Sequence, residues 1–543
     1  MKKFMATFLS AVTCLSCALC GCGGGDGSSS SGSSPSSDSG STGDEKVIVS
    51  EIKTNDYGYT YLSVDGAPFP YYAVESRLDA YMNCEKKTVE EFEDYFEAAV
   101  GMGASVVLIP IDWRDLEPVK DVYDFTVVAT LLGFANKYNV KVDFLWYSVN
   151  MCGDSNSYFI PDYIWNDEVT YPKYDSSNKN AFWAYYGKQG YLKASDALMQ
   201  RETLMIENLM EYIYNWDKIN GEKHPLIGIQ VHNEPDGYPR WRVGQQNISE
   251  NGQKITTEQA WSDVKKLLSN AGRAFKAAKY NVVTRVNLTT LSTVELFVED
   301  VYNLEGIDCV GNDIYNQSVG AVYNSMKDFK YYLPNNFNHI AENKGSYGNT
   351  ASLMLAAAFA GAGYVIYDLS TPQFFIDNTG SSDKSAIDHG ILNVDLSDKA
   401  HTEQTRRTMK ALNGAGIVTS LASKEDFAVF NLEESYAETN YNRQVNTTGI
   451  TANFSTNSGA IGFAIVFGDY IYLFASSSAQ ITLSNGTFGD AEYGYFKDGY
   501  WALENKSVSV SGNTYTLDQG LLCRVEIESV ASKLTSNTKY YIG

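Results

Sequence analysis

The chain of 543 residues carries 65 acidic and 42 basic side chains, a formal net charge of −23 at pH 7. This excess of acid argues against binding to nucleic acid or to an anionic membrane face, because both require concentrated Lys and Arg. The 39 tyrosines and 8 tryptophans fit a neutral ligand with flat apolar faces, although core packing accounts for most of them.

The amino terminus has the pattern of a secretory signal. A pair of lysines precedes an apolar run over residues 4–19, which is too short to span a bilayer. The run closes in the letters LCGC, which resemble a bacterial lipobox, so Cys22 is the predicted lipidation site. Three further cysteines lie in the same segment, and signal cleavage without lipidation is the alternative.

Residues 23–44 are nearly all Gly, Ser and Asp. Such a composition cannot bury enough apolar surface to offset the entropy of ordering, and it predicts a flexible linker. A linker after a lipid anchor predicts that the folded part works outside the cytoplasm, tethered to the bacterial cell envelope. Contact with the membrane is then expected only through the anchor.

From residue 57 onward, apolar runs of strand length alternate with amphipathic helical stretches. This alternation predicts an α/β fold, a (β/α)₈ barrel. The predicted strands are 69–75, 104–111, 140–147, 226–232, 282–288, 309–314, 339–342 and 364–367. The predicted helices are 89–101, 127–138, 194–216, 257–279, 351–361 and 402–415.

Two further regions complete the predicted organisation. Residues 148–193, rich in Tyr, Asn, Asp and Trp, form an insertion after strand three that is expected to line the barrel mouth. Short alternating strands with tight turns predict a smaller antiparallel β-sandwich at the carboxyl end. The predicted domains are a signal (1–22), a linker (23–44), the barrel (45–423), the sandwich (424–530) and a tail (531–543). The sandwich either braces the barrel or, through Trp501 and several tyrosines, binds glycan.

The chain shows no spacing typical of metal ligands. Outside the signal, the four cysteines Cys84, Cys152, Cys309 and Cys523 contain no C-x-x-C pair, and the five histidines contain no H-E-x-x-H. We therefore predict no catalytic metal and no cofactor.

Two predicted strands end in a glutamate. Strand four continues through Asn233 into Glu234, and strand seven ends at Glu342. Barrel enzymes carry their working groups at the carboxyl ends of the strands, and strands four and seven face each other across the barrel. A glycosidic bond is hydrolysed with retention by two carboxyl groups about 5 Å apart. The pattern thus predicts Glu234 as acid/base, kept protonated by partial burial and by the charge of Glu342, and an ionised Glu342 as nucleophile.

Asn233-Glu234-Pro235 with Glu342 resembles clan A, the retaining (β/α)₈ glycosidases. The segments WRDLEP (113–118) and DVYDF (121–125) look like the second-strand region of family 35 and 42 β-galactosidases. FLWY (144–147) and SYFIPDYI (157–164) are similar to family 35-like members. The likeness covers about residues 64–412. It implies a β-galactosidase-like enzyme that cleaves poly- or oligosaccharides by double displacement.

The resemblance also implies roles for individual residues. Asn233 would hydrogen-bond the sugar hydroxyl beside the anomeric carbon, and Tyr315 would orient Glu342. The other residues expected at the sugar subsite are Glu75, Arg77, Trp146, Tyr147, His232, Trp241, Tyr367 and Asp368. His232 stands where family 35 enzymes usually carry an acidic residue. From the residues alone, Tyr315 could instead cap the barrel core and His232 could be a hydrogen-bonded wall residue.

A second hypothesis belongs to a different class. The same barrel could serve as a catalytically inactive, surface glycan-binding lipoprotein, because a fold does not guarantee a function. In both cases the expected partner is a carbohydrate. The sequence leaves open the sugar, exo or endo action, and the oligomeric state.

Overall fold

The computed structural model describes residues 46–151, 155–177, 187–289, 296–378, 383–430, 444–447, 450–456, 460–484, 486–497, 499–504, 508–510, 512–517 and 520–528. The predicted signal, Cys22, the linker, Cys152 and the tail lie outside these residues. Within them, no helix combines the length and the hydropathy needed to cross a bilayer.

The described residues contain eight parallel strands that close into a barrel. They are β1 (Tyr72–Glu75), β2 (Val106–Asp112), β3 (Lys141–Met151), β4 (Leu226–Asn233), β5 (Val283–Leu288), β6 (Cys309–Asp313), β7 (His339–Lys344) and β8 (Gly363–Tyr367). Their order around the barrel is their order in the chain, and β8 pairs with β1. Most strand residues are buried because one face fills the barrel and the other meets the helices. The predicted (β/α)₈ fold is confirmed.

A helix follows every barrel strand. These helices are α1 (Glu93–Met102), α2 (Thr126–Tyr138), α3 (Asp196–Ile219), α4 (Thr257–Ala277), α5 (Leu296–Tyr302), α6 (Val319–Tyr332), α7 (Thr350–Phe359) and α8 (Thr402–Gly414). The Ser195 side chain caps α3, and Thr256 with Gln259 forms a capping box on α4. Neither α5 nor α6 was predicted from the sequence.

The start of predicted strand one was wrong by three residues. Phe69 belongs to a three-stranded antiparallel sheet formed by Ser50–Thr54, Thr60–Val64 and Ala67–Phe69. Pro70 lies between this sheet and β1, where its missing N–H cannot be used in a ladder. Ser50 hydrogen-bonds the first residues of β4 and β5, so this sheet lies at the amino end of the barrel, opposite the mouth.

Two antiparallel sheets follow the barrel. One pairs β9 (Phe427–Phe430), β12 (Gly462–Phe467), β13 (Tyr470–Ala475), β19 (Cys523–Glu528), β15 (Thr487–Lys497) and β16 (Tyr500–Leu503), and β17 (Val508–Ser509) adds to β15. The other pairs β10 (Gln444–Thr447), β11 (Ile450–Thr456), β14 (Ala479–Leu483) and β18 (Thr514–Leu517). The predicted sandwich is confirmed.

Alternation along the first sheet explains how the sandwich meets the barrel. Phe427 and Val429 belong to the core shared with the barrel, whereas Ala428 and Phe430 belong to the core between the two sheets. The Trp501 ring packs edge-on against Tyr472, with ring centroids 5.7 Å apart. The packing of Phe427 and Val429 into the barrel core is what a bracing role requires.

Polar side chains fill the lower barrel. Asp143 of β3 accepts hydrogen bonds from the Tyr71 hydroxyl at 2.6 Å and from Arg285 Nε at 2.9 Å, and Arg285 Nη1 donates to Gln230 Oε1 at 2.5 Å. Gly228 leaves room for this carboxylate, since a Cβ there would lie 2.4 Å from Asp143 Oδ2. These contacts identify the inward-facing positions of β3, β4 and β5.

Candidate active site

The carboxyl ends of the barrel strands carry buried or half-buried polar side chains. β1 ends in Glu75, β4 leads through Asn233 into Glu234, and β7 carries Glu342. Two polar residues that the sequence analysis missed complete the set, Asn287 near the end of β5 and Asp313 at the end of β6. The signal that identified Glu342, a polar residue ending an apolar strand, was also present at these two positions.

Asn287 connects the two predicted catalytic glutamates. Its Oδ1 accepts a hydrogen bond from the Glu234 backbone N–H at 3.1 Å, and its Nδ2 lies 3.3 Å from Glu342 Oε1. The same Nδ2 lies 2.9 Å from both Asn233 Oδ1 and Asp313 Oδ2. One buried amide thus brings the ends of β4, β6 and β7 to a single point. The predicted carboxyl separation of about 5 Å stays a prediction.

Glu342 has donors on both oxygens. The Tyr315 hydroxyl donates to Oε2, and Asn287 lies against Oε1. Burial raises the pKa of Glu342, whereas the Tyr315 hydrogen bond, the charges of Arg77 and Arg285, and Asn287 all act to lower it. Tyr315 therefore contacts the predicted nucleophile directly, and its orienting role stays a prediction.

Glu75 is the carboxyl group that shares this environment. Burial, and next the charge of Glu342, raise the pKa of Glu75 well above its usual range. Among the described residues, Glu75 Oε1 has no hydrogen-bond partner, whereas Glu342 has several. Hydrogen bonds from Tyr315 and Asn287 favour the ionised form of Glu342, whereas burial and the charge of Glu342 favour the protonated form of Glu75.

Three mouth residues have left-handed backbone conformations. φ is 59° at His232, 43° at Glu234 and 44° at Tyr315. Each such conformation costs a non-glycine residue about 1–2 kcal/mol, so surrounding contacts must hold it. Strained residues of this kind concentrate at functional sites.

The structure corrects two predicted sugar contacts, Trp146 and His232. Both side chains are fully buried in the layer between the strands and the helices, where each lies 3.0 Å from Glu202 Oε1. Trp146 faces away from the barrel interior because Asp143, three positions earlier on β3, faces inward. His232 faces outward because a bulge interrupts β4.

Arg77, Tyr147 and Tyr367 lie together, and their role at a sugar subsite stays a prediction. The Arg77 guanidinium donates to both Asp79 oxygens, at 2.8 and 2.7 Å, and to the Tyr367 hydroxyl at 3.2 Å. It also lies over the Tyr147 ring, 5.8 Å from the centroid. The guanidinium is thus occupied by the protein, and its contacts fix two aromatic rings beside Glu75.

Asp368 follows β8 and is buried. Its Oδ1 accepts a hydrogen bond from Thr371 Oγ1 at 2.9 Å, and burial raises its pKa to about 7. Next to it lies a residue that the sequence analysis missed, His389, whose ring centroid is 5.3 Å from that of Tyr367 and 6.2 Å from that of Tyr315. Burial lowers the pKa of His389 to about 4. It stands in the long β8–α8 connection, where no periodicity marked it.

Trp241 lies on the surface, 40 % exposed, in the turn after β4. The neighbouring Arg240 donates to Asp236 Oδ2 at 3.1 Å and to Thr289 Oγ1 at 3.0 Å. Thr289 in turn donates to Asp236 at 2.6 Å. This segment is therefore fastened to the end of β5, and the Trp241 ring is partly exposed to solvent.

Removing the Tyr315 hydroxyl tests its contact with Glu342. In Tyr315→Phe we expect kcat/KM to fall by about 10²-fold, the loss typical of one preorganised hydrogen-bond donor. Since the lost bond lowers the pKa of Glu342, that pKa should rise, and the acidic limb of the kcat/KM profile should move to higher pH. An unshifted acidic limb would contradict the assignment of Glu342 as the group that must be ionised.

The chain is a (β/α)₈-barrel protein that carries one glutamate near the end of β7 and another directly after β4. Within the described residues, no group of three or more His, Cys, Asp or Glu side chains is arranged to hold a metal ion.

Residues 264–437 match a family model described as a domain of unknown function, DUF4978. No curated protein matches the chain. Among solved structures the chain is similar to the exo-β-1,4-mannosidase Op5Man5 from Opitutaceae bacterium strain TAV5, with 13 % sequence identity and a TM-score of 0.46 over 67 % of this chain and 63 % of that one. The chain thus spans less than two thirds of that mannosidase. The resemblance to family 35 and 42 β-galactosidases stays a prediction.

Proposed function

We propose that the protein is a retaining glycoside hydrolase that cleaves β-glycosidic bonds, with Glu342 as nucleophile and Glu234 as acid/base. The observation that carries the proposal is the Asn287 amide, which bonds the backbone of one glutamate and lies against the carboxylate of the other. Two carboxyl groups on opposite sides of a glycosidic bond are what hydrolysis with retention requires.

In the first step, a Glu342 oxygen attacks the anomeric carbon while Glu234 gives its proton to the departing glycosidic oxygen. The bond between the anomeric carbon and that oxygen breaks, and a glycosyl ester forms on Glu342. In the second step, Glu234 takes a proton from water, the water oxygen attacks the anomeric carbon, and the ester bond breaks. Glu234 is protonated again, and the product keeps the starting configuration.

The neighbouring groups suit this division of roles. Tyr315 and Asn287 hold both oxygens of Glu342, so its attacking geometry is set before substrate arrives. Asn233 lies inside the barrel, 4 % exposed, between Gln230 and Asn287. From there it would bond the sugar hydroxyl next to the anomeric carbon, an interaction that strengthens in the transition state.

For the sugar, the family resemblance favours a terminal β-linked galactose or a related sugar, and the rings of Tyr147 and Tyr367 would form the walls of its subsite. The test is a panel of aryl galactosides, glucosides, mannosides and arabinosides, with the anomer of the first product followed by NMR. Release with retained configuration on at least one substrate is expected. An inverted product would overturn the mechanism. Oligosaccharide binding with no release above background would instead support the glycan-binding alternative.

We also propose that the enzyme is held at the bacterial cell envelope by a lipid on Cys22. The support is the sequence pattern alone. In Cys22→Ser the protein should move from the membrane fraction to the soluble fraction, whereas Cys20→Ser, in the same segment, should leave it in the membrane fraction. Equal membrane retention of both variants would contradict the anchor.

A further inference from the structure

A buried carboxylate behind the mouth binds two barrel strands at once. Glu202 lies on α3 and is fully buried, and its Oε1 accepts hydrogen bonds from Trp146 Nε1 at 3.0 Å and Ser148 Oγ at 2.8 Å. The same oxygen lies 3.0 Å from His232 Nε2. Trp146 and Ser148 belong to β3, whereas His232 belongs to β4. One oxygen of a helix residue therefore joins two neighbouring strands.

The contact to His232 falls on the bulge of β4. Gln230 and Asn233 both face the barrel interior, where Gln230 Nε2 donates to Asn233 Oδ1 at 2.9 Å. Strict alternation would place inward-facing residues two positions apart, but here the spacing is three. The alternation breaks at His232, which lies in the left-handed region, and the register of β4 shifts against β3 at the same place.

The bulge determines on which face of the sheet Glu234 lies. Without it, Asn233 would face the helices, and the chain after it would leave the sheet from the opposite face. Glu234, two residues beyond His232, also has a left-handed backbone, with φ 43°. Two strained residues so close together persist only when outside contacts hold them. Asn287 accepts a hydrogen bond from the Glu234 backbone N–H, and Glu202 contacts the His232 ring, so both ends of the segment 232–234 are held.

Packing alone does not account for a carboxylate at this position. Burial would raise the pKa of Glu202, but the charge of His232 and the bonds from His232, Trp146 and Ser148 outweigh it, so the pKa is lowered. Its second oxygen has no hydrogen-bond partner among the described residues. An apolar side chain could fill this space, but it would leave Trp146, Ser148 and His232 without the acceptor that Glu202 supplies.

We infer that Glu202 is a positioning residue for the acid/base Glu234, acting through His232 and the bulge of β4. The inference rests on the proposed function. It implies that Glu202 affects proton donation to the leaving group more than attack by Glu342, since Glu342 is held from β5 and the β6 end by other residues.

The test compares Glu202→Gln with Glu117→Gln. Glu117 is a matched control because it is also fully buried, also accepts a hydrogen bond from a tryptophan, Trp113, at 2.9 Å, and also contacts α3, through an ion pair with Arg201, yet it lies after β2 rather than against β4. For each variant, kcat/KM is measured on two aryl glycosides of the same sugar. Dinitrophenolate leaves without being protonated, whereas the phenolate of the phenyl glycoside needs a proton from the acid.

In Glu202→Gln we expect kcat/KM for the phenyl glycoside to fall by about 10–100-fold, as when a supporting contact of an active-site group is lost. For the dinitrophenyl glycoside, kcat/KM should fall by less than about 3-fold, because the first step needs little help from an acid. Glu117→Gln should change kcat/KM by the same factor for both substrates. Thermal unfolding confirms that the variants are folded.

Ser148→Ala covers the case in which Glu202→Gln does not fold, because it removes one donor to Glu202 and little volume. Its kcat/KM should depend on the leaving group in the same way, with a smaller loss. Equal losses on both substrates in the folded Glu202 or Ser148 variant would overturn the inference and leave the proposed function standing. A wild-type enzyme inactive on every glycoside would overturn both.

Discussion

Replacing Glu342 by Gln is expected to lower kcat/KM for aryl β-glycosides by roughly 10⁵-fold, the scale on which enzymes lose activity without their nucleophile. Gln has the shape of Glu but no negative charge, so it cannot form the glycosyl ester. Its amide oxygen can still accept from Tyr315 or Asn287, the two groups that hold Glu342. We therefore expect the fold to survive, and thermal unfolding should show this.

A smaller side chain assigns the role of Glu342 directly. In Glu342→Gly, azide can enter the space left by the carboxylate and attack the anomeric carbon from the nucleophile's side. With a good leaving group, the product should be a glycosyl azide of inverted configuration. Wild-type activity in Glu342→Gln would remove the hydrolase proposal, and Glu117→Gln again serves as the buried-glutamate control.

The second large effect is expected from Glu234→Ala. For substrates with poor leaving groups we expect kcat/KM to fall by about 10²–10⁴-fold, the usual contribution of a general acid or base. For a dinitrophenyl glycoside the first step should remain fast, while hydrolysis of the glycosyl ester becomes slow because no base activates water. Burst kinetics should therefore reveal the accumulated ester.

Azide distinguishes Glu234 from Glu342. In Glu234→Ala, azide should attack the glycosyl ester from the side that water uses, and the product should keep the starting configuration. The pH profile should also lose its basic limb, since the group that must be protonated is gone. If Glu234→Ala gave the inverted azide and Glu342→Gly the retained one, the two assignments would have to be exchanged.

The barrel could be predicted from the chain because its signals are local. Every predicted barrel strand overlaps an observed one, and the boundary error at Phe69 arose where a hairpin strand and a barrel strand adjoin with only Pro70 and Tyr71 between them. α6 could also have been predicted, since its buried Val319, Val322, Met326 and Phe329 recur every three or four residues. The described part of α5, Leu296–Tyr302, covers seven residues, which are too few turns for a period to be recognised.

A residue of the site could be predicted where the pattern of a single strand pointed to it. Glu342 follows from its position at a strand end and Tyr315 was implied by the family resemblance, and the structure brings the two into direct contact. Asn287 and Asp313 occupy comparable positions, but their importance depends on what three other strands place around them. His389 reaches Tyr315 and Tyr367 only through the course of a long connection, which no local pattern describes.

By itself the sequence determined the order of strands and helices and the placement of glutamates at the β4 and β7 ends, because hydrophobic periodicity and chain position are properties of short segments. Only the tertiary structure decided which way the side chains near those ends point. A break in the alternation of β4 turns His232 toward the helices, and Glu202, thirty positions away, holds it there. Such a bulge depends on contacts between distant segments, so no window of the sequence contains its cause.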